Sequence, residues 1–396
     1  MVSPLHNSND SLPAAALFEH HRAHQLAFGR PVQPLAHADK KPPLPDCVPV
    51  CPLPASREMR EKIFVKACHT GNEAEVQHLL STAPSLTACQ QYDKLVQGAV
   101  IQGNSGMVDV LLAFKKKQTD QYTFLLGASL RQAVHEGHVP IVQSLLEKGA
   151  HLPSYAAHGV VTVLHLAILA GHKEVVKQLV QAGADINASG SCNIGTPLTC
   201  AVECGDQQLV QWLLEQGADP NQRAGNTGMT PLAVACQNGE LAKSKRLIEA
   251  GALIDRGEHE GPAPLALAVQ KGHEELAHYL LRCGADVNGA GDPSQAPLCK
   301  AVANRQFELS KVLLQAGAVA DLLCEQKRVE TPLMFAVRQG DYWIAELLVN
   351  HGADLHKKGP EQLSALEISE HIGFDRMTAM LRAKATQQGA KAGDLP

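Results

Sequence analysis

The sequence predicts an all-α solenoid of about nine to ten stacked helix-turn-helix units with finger loops, preceded by a disordered tail. Three observations carry that fold class: a recurring opening phrase, a recurring glycine after the helix it opens, and a recurring Gly-Ala stop after a second helix. Thr162-Val163-Leu164, Thr196-Pro197-Leu198, Thr230-Pro231-Leu232, Ala263-Pro264-Leu265, Ala296-Pro297-Leu298 and Thr331-Pro332-Leu333 open copies spaced 34, 34, 33, 33 and 35 residues apart. Ala128-Ser129-Leu130 extends the series upstream and Ser364-Ala365-Leu366 extends it downstream. A period of this length marks a stack in which each unit buries its apolar face only against its neighbours.

The copy from Thr162 to Gly195 shows how one unit reads. Thr162 is placed to N-cap a helix from Val163 to about Ala170, its hydroxyl accepting an orphan N–H. In other copies Pro197, Pro231, Pro264, Pro297 and Pro332 take the first helical position, where a missing N–H costs nothing. Gly171 ends the helix, and Gly71, Gly103, Gly137, Gly205, Gly239, Gly272 and Gly340 match it. A second helix follows from about Lys173 to Gln181, with Val176, Leu179 and Val180 as its apolar stripe. Gly183-Ala184 closes it, and Asp185-Ile186-Asn187 begins a polar, hairpin-like finger. Helices this short fall below the ~12–15 residues needed for marginal stability alone, so stacking must hold them.

These phrases together resemble the ankyrin repeat: Thr-Pro-Leu, then Leu164-His165-Leu166-Ala167, Gly171-His172 and Gly217-Ala218-Asp219-Pro220-Asn221. The resemblance spans about Arg60 to Lys384. It implies L-shaped helix–helix–finger units in a curved array with a concave binding face. It also implies structural roles for His138, His172 and His273 after the helix-ending glycine, and for His165 inside the first helix. Asn187, Asn221 and Asn288 occupy the finger position that resembles the site of asparaginyl hydroxylation in such proteins, which makes them modification candidates.

The array divides into weak amino-terminal units over 60–127, clear repeats over 128–363 and a carboxy-terminal cap over 364–386, within a domain of 58–386. Residues 387–396 read as a disordered tail. Lys115-Lys116-Lys117-Gln118 reads as a solvated loop, or else a basic contact patch. Arg305 stands where a glycine is expected, so its turn is either strained or differently built. Val319-Ala320-Asp321-Leu322-Leu323 departs from Asp-x-Asn, which marks local flexibility or an apolar contact. Residues 1–57 are Pro- and His-rich and read as disordered or polyproline-like. Pro42-Pro43-Leu44-Pro45 resembles a WW-type ligand, and Pro42/Pro45 and Pro49/Pro52 have P-x-x-P spacing. Cys47/Cys51 with His37 match no common zinc module.

A formal charge of −5 and 4% aromatics give no basic or stacking footprint for nucleic acid. No apolar run approaches the ~18 residues of a membrane span. The eleven cysteines, scattered mostly singly, fit packing roles in a reducing compartment. No G-x-S-x-G, H-E-x-x-H, Walker-type or dinucleotide-binding motif is present, so no enzyme, metal site or cofactor is expected. The expected protein is a cytoplasmic monomer that binds a protein partner, with no nucleic acid and no membrane. Repeat phase directs Tyr155, Glu203, Arg223, Asn226, Gln237, His259, Glu260, Gln270, Asp292, Lys327, Arg328 and Arg338 to the contact face. The alternative is a secreted bacterial effector acting on host proteins, with its secretion signal in the first 57 residues.

Overall fold

A computed structural model describes residues 56–88, 91–115, 120–152, 161–190, 195–224, 228–255, 261–289, 296–325 and 329–393. The chain forms two compact units, one through Ala184 and the other from Asp185. Residues 1–55, with the proline motifs and any secretion signal, lie outside the described residues. So do Tyr155, Asn226, His259, Glu260, Asp292, Lys327, Arg328 and Lys116–Gln118.

The first unit pairs α1 (Arg57–Thr70) with α2 (Glu73–Thr82), and α3 (Tyr92–Ile101) with α4 (Ser105–Phe114). It continues with α5 (Asp120–Glu136) against α6 (Val139–Glu147), and α7 (Val163–Leu169) against α8 (Lys173–Gln181). First helices stack in the order α1, α3, α5, α7, and second helices in the order α2, α4, α6, α8. Phe64, Tyr92, Leu111, Leu130, Leu145 and Leu164 are among the residues that fill the space between layers.

The second unit repeats the plan with α9 (Pro197–Glu203), α10 (Gln207–Glu215), α11 (Pro231–Gln237), α12 (Leu241–Glu249), α13 (Pro264–Lys271) and α14 (Glu274–Arg282). Then come α15 (Pro297–Ala303), α16 (Phe307–Gln315), α17 (Pro332–Gln339), α18 (Tyr342–Asn350), α19 (Ala365–Ile372) and α20 (Asp375–Gly393). Its first helices α9, α11, α13, α15, α17 and α19 stack in that order. The expected fingers close as hairpins at two places. An isolated bridge joins Ala224 to Met229, and β1 (Cys324–Glu325) pairs antiparallel with β2 (Val329–Glu330).

The expected caps form. Thr162, Thr196, Thr230 and Thr331 each accept from the backbone N–H three residues on, and Ser364 and Glu367 make a reciprocal capping box. At Gly137 the chain needs glycine twice over. Its φ is +77°, and an added Cβ would lie 2.6 Å from the His172 ring of the next layer.

Several expectations are corrected. Ala128 does not open a helix, because α5 already starts at Asp120. The upstream copy has Ala-Ser instead of Thr-Pro and so lacks a start signal, while the added turns bury Leu125 and Leu126. Lys115 is not a solvated lysine: its side chain is 8% exposed, pairs with Asp93 at 2.8 Å and lies 4.9 Å from the Tyr92 ring centre. The tail of 387–396 is helical as far as Gly393, its Ala, Lys and Gln residues favouring the helix despite Gly389. At the other end α1 is capped by Ser56, inside the segment expected to be a tail. Cys299 and Cys324 are not free packing cysteines; they form a disulfide, their Cα atoms 5.6 Å apart. Their 25-residue separation escapes any spacing motif, and only the fold brings them together.

Arg305 adopts the left-handed conformation at φ +56°. That costs on the order of 1 kcal/mol for a side-chain-bearing residue. Its guanidinium offsets this by donating to the Gln339 carbonyl at 2.7 Å.

Candidate functional site

The ends of the first helices are held by side chains from the following layer. In the first unit His138 Nε2 lies 3.3 Å from the Ile101 carbonyl, and His172 Nε2 lies 3.0 Å from the His135 carbonyl. In the second, His273 Nε2 lies 3.2 Å from the Gln237 carbonyl. A carbonyl only accepts, so each of these nitrogens is the protonated one. Where the histidine is missing, other donors reach the same carbonyl position. Asn304 Nδ2 donates to Gln270 at 2.9 Å, and Gln339 Nε2 donates to Ala303 at 3.0 Å. His165 is fully buried, with Nδ1 2.7 Å from the Thr162 hydroxyl. The four histidines thus hold turns and caps, as their positions implied.

This pinning fixes the backbone and leaves selected side chains outside it. Glu203 and Gln270 are exposed and Gln237 is half-buried, each two residues before the helix-ending glycine. Among the described residues their side chains have no hydrogen-bonding or ionic partner. Desolvation by the surrounding chain raises the Glu203 carboxyl above its ordinary value. Arg223 is half-buried beside the finger bridge, next to Gln222, whose amide donates to the Asn187 carbonyl at 2.8 Å.

Arg338 shares the repeat phase of Glu203 but is occupied internally. Its guanidinium pairs with Glu330 at 2.9 Å and Glu361 at 2.6 Å. Glu330 is 3% exposed, so Arg338 neutralises a buried carboxylate.

The finger asparagines form a ladder between layers. Asn187 Oδ1 accepts from Asp219 N–H at 2.9 Å, Asn221 Oδ1 from Leu253 N–H at 2.8 Å, and Asn288 Oδ1 from Val319 N–H at 2.9 Å. Asp255 and Asp321 take the same role toward Asp286 and Asp354. Burial raises the Asp255 carboxyl, although the Asp286 amide opposes it.

The thiols are not primed for nucleophilic work. Burial pushes Cys68 and Cys236 up to about 12 and Cys204 up to about 11, so all three stay protonated at neutral pH.

The repeat phase missed a cleft of about 850 Å³ in the first unit, along one face of α1, lined by Arg57, Lys62, Val65, Lys66, His69 and Gln91 among others. It also missed Ile101, 53% exposed at the position equivalent to Gln237, and Trp343, 61% exposed at the start of α18. Spacing from Gly103 would have found Ile101. An aromatic just after Asp341 was the available signal for Trp343.

A family model for ankyrin repeats matches at residues 130–224, 222–290 and 289–359, more than half of the chain. Similar solved structures include the human ASB11 ankyrin repeat domain, at 28% identity and a TM-score of 0.47 over 56% of this chain and 96% of that one. The ankyrin repeat domain of Bcl-3, described as a unique member of the IkappaB protein family, is similar at 25% identity and a TM-score of 0.47. That match covers 55% of this chain and 97% of that one. No curated protein matches the chain significantly. The matched repeats are a general protein–protein interaction module and typically non-catalytic. With its opening phrases, capped helix pairs, histidine locks and finger ladder in place, the chain belongs to the ankyrin repeat family.

Proposed function

We propose that this chain is a non-catalytic scaffold or adaptor that binds a partner protein through the first-helix ends and fingers of its second unit. One observation carries the reading. Glu203, Gln237 and Gln270 project from the consecutive helices α9, α11 and α13 at one phase, without internal partners among the described residues. The Gln237 and Gln270 carbonyls beneath them are already engaged by the following layers. A surface with a fixed backbone and uncommitted polar side chains loses little conformational freedom when it binds. Arg223 joins this surface, whereas Arg338 supports it from inside. The charge balance favours a protein over nucleic acid or an anionic membrane as partner. In this reading the protein works as a cytoplasmic monomer and uses no cofactor.

The test is affinity capture by the full chain, comparing wild type with an E203K/Q237K/Q270K variant and with a Q211K/E249K control altered on exposed second-helix positions. The reading expects at least tenfold loss of specific partners from the first variant and normal recovery by the control. Equal recovery by both would reject the assigned surface.

A further inference from the structure

Among the described residues Cys299 and Cys324 form a disulfide, while Cys68, Cys200, Cys236 and Cys283 carry free thiols. Cys299 lies in the first turn of α15 and Cys324 in β1, and they are 3% and 1% exposed. Ala296 and the partly buried Leu322 pack against them. The bond therefore ties a finger to the first helix of its own repeat.

The two ends of that finger are tied to neighbouring layers, Val319 N–H donating to Asn288, Asp321 accepting from the Asp354 amide and Glu330 pairing with Arg338, but the hairpin between them is slight. Its ladder has two residue pairs, Cys324 with Glu330 and Glu325 with Val329, and a ribbon this short is marginal by itself. Asp321 takes the finger asparagine's place, and Leu322 and Leu323 follow it where another finger continues with Gln222-Arg223; Leu323 is 37% exposed. The finger's order also has consequences beyond it, because Glu330 on β2 is the buried carboxylate that Arg338 links to Glu361.

We propose that Cys299 and Cys324 are a reversible thiol–disulfide modification site that sets the order of this finger. When oxidised, the hairpin is fastened to α15. When reduced, it opens while the helices remain stacked, because the buried Leu298, Ala301, Val302, Leu309 and Leu313 that hold the layer all lie outside the hairpin. The co-reactant class is a small-molecule disulfide such as oxidised glutathione. One cysteine thiolate attacks a glutathione sulfur, forming a mixed disulfide and releasing one glutathione thiolate. The second cysteine thiolate attacks the cysteine sulfur of that mixed disulfide, forming the Cys299–Cys324 bond and releasing the other glutathione thiolate. Two cysteine thiols and one glutathione disulfide thus give one protein disulfide and two glutathione thiols, the thiol protons passing to the released thiolates. Both sulfurs are buried, so exchange in either direction requires the hairpin to open, which couples the chemistry to the motion.

The full chain would be equilibrated with reduced or oxidised glutathione, quenched by alkylation and digested with trypsin. The expected cross-link joins the peptide Cys283–Lys300 to the peptide Val312–Lys327, with fragmentation assigning Cys299 rather than Cys283. Hydrogen exchange on the same samples should show amides of 322–325 and 329–330 exchanging at least tenfold faster after reduction, with far-ultraviolet circular dichroism unchanged. A C324S variant should match reduced wild type in both buffers, and C299A provides the same comparison if C324S fails to fold. Free thiols at both positions after oxidation would overturn the proposal, and so would identical exchange in the two redox states. Neither outcome bears on the surface assigned to partner binding, which is read at Glu203, Gln237 and Gln270.

Discussion

In the first unit the layer of α3 and α4 is locked from within. The Tyr92 hydroxyl donates to the Leu111 carbonyl at 2.5 Å, its ring stacks on Phe64 at 5.9 Å, and Lys115 closes over it to reach Asp93. Asp109 on α4 accepts from Ser144 and from Lys148 at 2.6 Å, which ties that layer to the next. In the second unit the same task falls to loops, where asparagine and aspartate side chains at each finger receive an amide from the following repeat. Each arrangement satisfies the polar groups that stacking buries. Layered packing tolerates either kind of tie, so a missing finger motif does not mean a missing layer.

The largest effect is expected where a tie neutralises buried charge. Replacing Arg338 with Met leaves the Glu330 carboxylate buried and unpaired and should cost the second unit about 3 kcal/mol, read by urea unfolding. The E330Q/R338M double variant should recover most of that loss. If R338M unfolds like wild type, the pair does not hold the finger. Next comes Tyr92→Phe, which strands the buried Leu111 carbonyl and should cost about 1–2 kcal/mol. The faster hydrogen exchange should stay within α3 and α4, and spread into the second unit would contradict the division of labour between the two.

Asn221→Ala is the matching cut in the loop ladder. It removes the acceptor for Leu253 N–H and the donor to the Gly251 carbonyl, at an expected cost of about 1 kcal/mol because the site is solvent-accessible. The Leu253 amide should exchange faster while α3 and α4 do not change. The smallest effect is electrostatic. Burial pushes the Asp109 carboxyl up, but the Lys148 and Ser144 hydrogen bonds outweigh it and leave the pKa below its ordinary 3.8. A depressed folded pKa contributes stability above the unfolded value, and that contribution is lost as pH falls through the folded one. With its side chain 48% exposed, the contribution is no more than about 1 kcal/mol after screening. Asp109→Asn should flatten the acid limb of a stability–pH curve, and an unchanged limb would remove Asp109 from the set of ties.

Much of this was legible in the sequence because glycines and prolines punctuate it. Val163–Leu169 and Lys173–Gln181 follow directly from Thr162, Gly171 and Gly183. Legibility fails where the stabilising contact is distant and carries no motif. Lys115 looked solvated because its partners lie 22 and 23 positions earlier, at Asp93 and Tyr92. The disulfide stayed hidden for the same reason. Arg338 was assigned to the contact face because phase gives a direction, but phase does not show that Glu330 and Glu361 already occupy its guanidinium. Glu203 and Gln270 are exposed and Gln237 is half-buried, since phase alone decides exposure when no charged neighbour competes.

Photo-crosslinking tests the central claim most directly. A photoreactive residue would be placed in the full chain at 203, 237 or 270, and separately at 211 and 249 on the second helices. The account predicts that all three first-helix positions capture the same discrete protein and that neither second-helix position does. Capture of that protein equally from 211 and 249, or a different set of proteins from each first-helix position, would contradict it.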